Sequence, residues 1–281
     1  MATGYWLEVM AVERNPKIGL ALGAGSARGV AHIGVLKALE AEGINIDYLA
    51  GTSIGSMIGS FYAVGMDLKR LEQLSYQMDW DLVTDITVPR QGLIAGNKVK
   101  EFVQLLTKNK KFSDLDLPFA VVATDIEKGE EVVITDGLVA DAIRASISIP
   151  GVYVPYQIKD RLLVDGAVLN RIPVNVVREF GADIIIGVDV SYNIHRDSKV
   201  GNIFDIITKA IGIMEEQIVK YRGIDADVII RPEVGHVPST ALEKAEECVE
   251  AGIKAAKTAV PEIKELIERW EENGEISSDK A

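Results

Sequence analysis

Residues 51–55 read GTSIG, a single hydroxyl, Ser53, held between Gly51 and Gly55. Serine and glycine are ordinary turn residues. Placed between an apolar strand and a helix, however, G-x-S-x-G is a nucleophile elbow, a turn so tight that side chains beside the serine would clash. The hydroxyl then stands clear of the sheet, over a helix N-terminus that favours developing negative charge. A second glycine-rich strand-to-helix turn, GAGSARG, spans residues 23–29. Such turns expose backbone N–H groups to a phosphate or an oxyanion, and Arg28 adds a fixed positive charge. A dinucleotide fingerprint reads similarly, but it wants an acidic residue about 20 positions on, at the end of the second strand. Here that strand ends at Ala50–Gly51 and Asp47 precedes it.

An elbow needs a base. The chain has three histidines. His32 lies on the first expected helix, His195 in the polar stretch SYNIHRDSK, and His236 in PEVGHVPS after the last expected strand. A solvated or core role suits each better than catalysis. Asp165, in LLVDGA, ends a short apolar strand just before a glycine, which would put a carboxylate near the level of the elbow. An Asp-Gly turn is the plain alternative for that segment. A carboxylate with a reference pKa of about 3.9 is a weak base for serine. That role therefore requires desolvation or hydrogen bonds that raise its proton affinity.

GAGSARG, GTSIG and DGA at 165–167 together resemble the patatin-like phospholipases, serine lipid hydrolases that use a serine–aspartate dyad without histidine. ALGAGSARGVAHIGVLKAL, VVATDIEKGEEVV, AIRASISIPGVY, VDGAVLNRIPV and GADIIIGVDV extend the likeness over nearly the whole chain. They look like the small bacterial and archaeal members similar to the catalytic domain of neuropathy target esterase. The resemblance implies Ser53 as nucleophile, Asp165 as general base and proton acceptor, and the N–H groups around Gly25 and Ser26 as oxyanion donors. Arg28 and Gly29 match the family's basic residue and closing glycine. Ala24 and Ser26 replace two glycines of the commoner G-G-G-x-[RK]-G, which leaves open which amides point inward. By analogy Ser146, Ser148 and Pro150, in RASISIPGVYVPY, lie near the site, with no evident role beyond packing.

The elements that must position these groups follow from apolar runs alternating with amphipathic stretches. KIGLALG, DYLAGTS, PFAVVATDI, EEVVITDG, RLLVDGA, ADIIIGVDV and DVIIRPEV are the expected strands. PFAVVATDI and EEVVITDG pair around EKGE. Helices follow the first two strands, the first with Val30, Ile33, Val35, Leu36 and Leu39 at helical spacing. Thr240 and Glu243 stand at capping-box spacing before a C-terminal helix that Pro261 should break. Residues 79–115 interrupt the rhythm, as either an inserted cap over the site or a surface helix with long loops. The expected fold class is α/β, one domain with a mostly parallel central sheet covered by helices on both faces. Its expected limits are an N-terminal extension (1–16), the hydrolase domain (17–273) and a frayed tail (274–281).

With 281 residues, 48% of them apolar, the chain can bury a sizeable core. A net charge of −12 argues against nucleic acid and against electrostatic recruitment to an anionic membrane. The one cysteine, Cys248, excludes an internal disulfide, reads as core, and makes the cytoplasm the expected location. No run is long and apolar enough to span a bilayer, so lipid contact is expected to be peripheral. The motifs call for no metal or organic cofactor. The expected substrate is an acyl ester with an apolar chain, lysophospholipid or related, lined by Ile54, Met57, Tyr153 and the 79–96 segment. Two other readings stand beside it: an α/β-hydrolase with a Ser-His-Asp triad, and a non-catalytic protein sensing a lipid or nucleotide in the same pocket.

Overall fold

Five strands of the central sheet run parallel, in the order β10 (Val228–Ile230), β9 (Ile184–Val188), β1 (Ile18–Leu22), β2 (Tyr48–Thr52) and β4 (Phe119–Asp125). The computed structural model describes residues 15–88, 91–194 and 203–278. The expected N-terminal extension therefore lies almost entirely outside the described residues. Beyond β4 the sheet turns antiparallel: β5 (Glu130–Ile134) and β8 (Arg161–Asp165) both pair with β4, and β7 (Tyr156–Ile158) pairs with β8. A separate parallel pair joins β3 (Gly92–Ile94) to β6 (Gly151–Tyr153).

Continuous apolar sequence makes β1, β4 and β9 central strands, because both faces must be covered. Alternation sorts their side chains. Leu20, Leu22 and Leu49 enter the main core, whereas Ala21, Ala50 and Ala120 face the other side. The main core is roofed by α1 (Ala31–Ala41), α2 (Ile54–Ala63), α3 (Leu68–Tyr76), α4 (Trp80–Val83), α5 (Asn97–Leu106) and α6 (Val139–Ser146). The opposite face is covered by α7 (Val174–Glu179), whose Val176 and Val177 seat on the small residues. Two further helices, α8 (Ile203–Arg222) and α9 (Ala245–Ser278), complete the chain. A Cβ on Gly34 of α1 would lie 2.0 Å from Val249 O, and one on Gly252 of α9 would lie 2.1 Å from Ala31 O. This glycine pair lets the two helix backbones touch. Cys248 is fully buried beside that contact, its thiol pushed up to about 11 by burial.

The structure departs from the sequence reading in four places. Pro261 sits inside α9 rather than ending it. Val260 and Ile263, buried on either side, hold both halves against the core, so one lost backbone bond does not stop the helix. The same helix continues to Ser278, through residues expected to fray. No capping box forms at Thr240: the cap of the short 3-10 turn Leu242–Lys244 is Ala241, without a side-chain bond, and the Thr240 carbonyl instead accepts Trp80 Nε1–H at 2.7 Å. Finally, residues 203–222, to which sequence reading assigns no element, form the twenty-residue helix α8.

Candidate active site

Register on one strand brings the two chemical residues together. β4 is the ruler: Thr52 of β2 lies opposite Val122, and Asp165 of β8 lies opposite Ala123, the next residue along. β5 occupies the other edge of β4, so the ends of β2 and β8 meet on the same edge. Beyond those ends, Ser53 Oγ donates to Asp165 Oδ2 at 2.6 Å. Both side chains are buried, at 6% and 4% exposure.

Ser53 holds φ 54 and ψ −124, a region that favours glycine. Three contacts keep it there. Ser146 Oγ accepts Ser53 N–H at 2.8 Å and itself donates to Val122 O at 2.6 Å, tying the elbow to β4. Ser56 Oγ donates to Ser53 O at 2.6 Å. Gly55 lies against the end of β1, where a Cβ would stand 2.2 Å from Leu22 O, and a Cβ on Gly51 would stand 2.5 Å from Ser56 Cα. Both elbow glycines are therefore required by close approach. The strain predicts a reversal of the usual order of stability. Ser53→Gly and Ser53→Ala both lose the hydroxyl, yet the glycine variant should be the more stable by about 1 kcal/mol or more in urea unfolding. Equal stability, or alanine ahead, would show that the elbow is not strained.

The glycine turn folds against the elbow. Gly25, Ser26, Arg28 and Gly29 lie at the mouth of β1, where Ser26 to Val30 form a 3-10 turn. A Cβ on Gly29 would sit 2.1 Å from Ile54 Cγ2, next to the serine. Gly23 N–H, Ala24 N–H and Ala27 N–H donate to Val188 O, Arg171 O and Ser239 O. Gly25 N–H and Ser26 N–H donate to no described residue, which leaves those two amides free for an anion. Arg28 is buried and its Nη1 donates to Val237 O at 3.0 Å, so part of its role is to lock this turn to the loop after β10. Burial lowers its affinity for a proton, and the nearby Arg171 charge lowers it further.

Asp165 is clamped from its own side. Ser148 O accepts its backbone N–H at 2.9 Å, and its Oδ1 accepts Ala167 N–H at 2.9 Å. Ser148 Oγ accepts a hydrogen bond from Arg144 Nη1 at 2.6 Å, while Arg144 Nη2 reaches the carbonyls of Ala95 and Val154. Ser146 and Ser148 thus position Ser53 and Asp165, and Arg144 ties them to the 79–115 segment. Sequence reading gives these residues no role: Arg144 and Ser148 bond locally, one helical turn apart, but the bonds that reach the site, to Ser53, Val122, Asp165 and Ala95, join positions far apart in the chain. The signal in the sequence is the likeness of the SISIP run to the family, which places Ser146 and Ser148 near the site without a role. Pro150 makes no bond to the dyad. Ile54 and Met57 are partly buried against the main core, and Tyr153 is buried with its ring 5.5 Å from the Arg144 guanidinium.

Burial pushes the Asp165 carboxyl up to about 7 and the negative Glu215 of α8 adds to the rise, against the pull of the Ser53 and Ala167 bonds and of Arg171. This is the raised proton affinity a carboxylate base requires. No described histidine joins the pair. His32 is buried beneath the glycine turn, with Nε2 bonded to Gly23 O at 2.8 Å, and burial lowers its pKa to about 4. His236 is on the surface, paired with Glu247. His195 lies outside the described residues. Among the described residues no group of three His, Cys, Asp or Glu could hold a metal ion, and no helix is long and apolar enough to cross a membrane.

Comparison with known proteins gives the family of the chain. Residues 20–178, which contain the glycine turn, Ser53 and Asp165, match the Patatin family model, described as patatin-like phospholipase. An uncharacterized NTE family protein of Mycobacterium bovis is 34% identical over 183 residues, covering 63% of this chain and 50% of that protein. A Yarrowia lipolytica protein named lysophospholipase NTE1 is 35% identical over 179 residues, covering 62% of this chain and 12% of that protein. The chain thus spans half or less of the length of these relatives. VipD from Legionella pneumophila shares the fold, with a TM-score of 0.62 at 13% identity over 91% of this chain and 67% of that one.

Proposed function

This chain belongs to the patatin-like phospholipase family, and from that premise we propose that it is a serine acyl hydrolase of lipid esters acting through Ser53 and Asp165. One observation carries the proposal: the 2.6 Å bond from a strained serine hydroxyl to a buried carboxylate whose pKa is about 7. Asp165 takes the proton as Ser53 Oγ attacks the ester carbonyl carbon. The Gly25 and Ser26 N–H groups hold the resulting oxyanion, a type of stabilisation whose loss typically costs about 10²–10³ in turnover per donor. The protonated Asp165 then gives its proton to the departing alkoxide, leaving an acyl-serine. Water, deprotonated by Asp165, attacks that ester, and the returning proton restores the Ser53 hydroxyl as the fatty acid leaves.

The surface of α8 supports a lipid partner. Ile203, Ile206, Ile207, Ala210, Ile213, Met214, Gln217 and Tyr221 recur at helical spacing, all exposed, with exposures from 37% at Ile207 to 83% at Tyr221 among the large apolar ones. This stripe carries no charge and faces outward, the reverse of an ordinary surface helix. The inner side of α8 packs on β6 and on the Gly166–Val168 turn that follows Asp165, so the stripe adjoins the site. A net charge of −12 selects a zwitterionic or neutral surface over an anionic one.

Fatty-acid release from lysophospholipid, monoacylglycerol, diacyl phospholipid and a short soluble ester tests both parts. Wild type should release acid from at least one lipid and Ser53→Ala from none. An Ile206→Asp/Met214→Asp variant should lower hydrolysis of vesicular lipid relative to the soluble ester at least fivefold. Release unchanged in Ser53→Ala would refute the nucleophile, and an unchanged ratio would refute the docking face.

A further inference from the structure

Arg171 is a buried cation that the dyad chemistry does not use. Its backbone is built into the site: Arg171 O accepts Ala24 N–H at 3.0 Å, and Asn170 O accepts Thr52 Oγ1–H at 3.0 Å. The side chain is 8% exposed, yet its Nε has no hydrogen-bond partner, and no described residue bonds or ion-pairs the guanidinium. Of the two other buried arginines near the dyad, Arg144 is spent on three acceptors and Arg28 donates to Val237 O. A buried charge without a partner is costly, and pairing is the rule for buried arginine.

The Arg171 backbone lies against the glycine turn and the end of β2, and its charge acts on Asp165, on Glu215 of α8 and on Arg28. Two buried cations, Arg28 in the glycine turn and Arg171 bonded to it through its backbone, near two unclaimed amides make a site that an anion would satisfy. The planar guanidinium fork matches the paired oxygens of a phosphate. In a glycerophospholipid that phosphate sits only a few bonds along the glycerol from the ester.

We propose that Arg171 binds the phosphate of the substrate, so that the site takes lysophospholipids in preference to neutral acylglycerols. The inference rests on the acyl-hydrolase reading of Ser53 and Asp165, and its test separates the two. Hydrolysis of a lysophosphatidylcholine and of the monoacylglycerol with the same acyl chain is compared in one detergent, each variant at its own plateau pH because Arg171 also acts on Asp165. Arg171→Gln should lower the lysophospholipid-to-monoacylglycerol ratio of kcat/KM at least tenfold, and Arg171→Lys should recover part of it. A ratio that stays constant, whether both activities fall or neither does, overturns the proposal.

A second readout needs no turnover. Thermal unfolding of the wild type is followed with sn-glycero-3-phosphocholine, with inorganic phosphate and with glycerol. Both phosphate compounds should raise the midpoint for the wild type and not for Arg171→Gln, while glycerol raises neither. Stabilisation by inorganic phosphate alone would mark a free-phosphate site and overturn the assignment to a lipid headgroup, as would no stabilisation at all. Stabilisation by glycerophosphocholine in a protein that hydrolyses no lipid would sink the hydrolase reading and keep the anion site. Without ligand, Arg171→Gln should unfold close to the wild type, since no described residue bonds or ion-pairs the guanidinium and its attraction to Asp165 and Glu215 acts at longer range. A markedly lower midpoint would instead make Arg171 a structural residue.

Discussion

Asp165→Asn is expected to lower ester turnover by about 10³-fold or more while raising the unfolding temperature at pH 8. Asparagine has the size and shape of aspartate, so the Ala167 N–H bond is kept and the amide can donate to Ser53 Oγ. What asparagine cannot do is take a proton, and the step that makes Oγ a nucleophile goes with it. The stability gain follows from the direction of the pKa. The folded carboxyl binds its proton up to about 7, the unfolded one only up to about 3.9. Between those values the native state holds more protons than the unfolded state, so this group withdraws stability as pH rises through the window and leaves the full deficit above it. Asparagine removes the deficit, which is a few kcal/mol at most in order of magnitude. Activity and stability moving in opposite directions would identify Asp165 as a residue kept for chemistry at a cost to the fold. Turnover by the variant close to wild type would remove it from the mechanism.

The acid limb of the rate is the second large effect. If Asp165 must be ionised to act, kcat/KM on a non-ionising ester falls about tenfold per pH unit below about 7 and levels off above it, a loss of roughly a hundredfold by pH 5. An aspartate with an ordinary pKa would leave the profile flat from pH 5 to 8. Glu215, on α8, contributes to the rise through its negative charge. Glu215→Gln should therefore move the acid limb to lower pH. A limb that does not move would mean that α8 does not reach the dyad electrostatically.

The elbow and the glycine turn are legible in sequence because their constraints are local: GTSIG and GAGSARG need small residues within a few positions of one another. Asp165 is legible as a strand-ending carboxylate, and the resemblance to a family with a Ser-Asp dyad gave it its partner. What brings it to Ser53 is the register of β2 and β8 on β4, and pairing between distant strands leaves little trace in either strand. Ser146, Ser148 and Arg144 were opaque for the same reason. Pro261 misled because its local preference is strong, and the burial of Val260 and Ile263 overrides it. The helix α8 escaped notice although its apolar spacing is regular. Apolar residues lie on both sides of it, the exposed stripe on one and Ile211, Ile218 and Val219 with Glu215 on the other, so no single buried face stands out.

The most direct measurement is the reaction of the folded protein with a fluorophosphonate, the adduct located by peptide mass spectrometry. A single phosphonyl group on Ser53 is predicted, formed readily by the wild type and by a His195→Ala/His236→Ala variant, and suppressed in Asp165→Asn. An unlabelled wild type, or labelling that survives loss of Asp165 and disappears with the two histidines, would contradict a serine activated by this carboxylate.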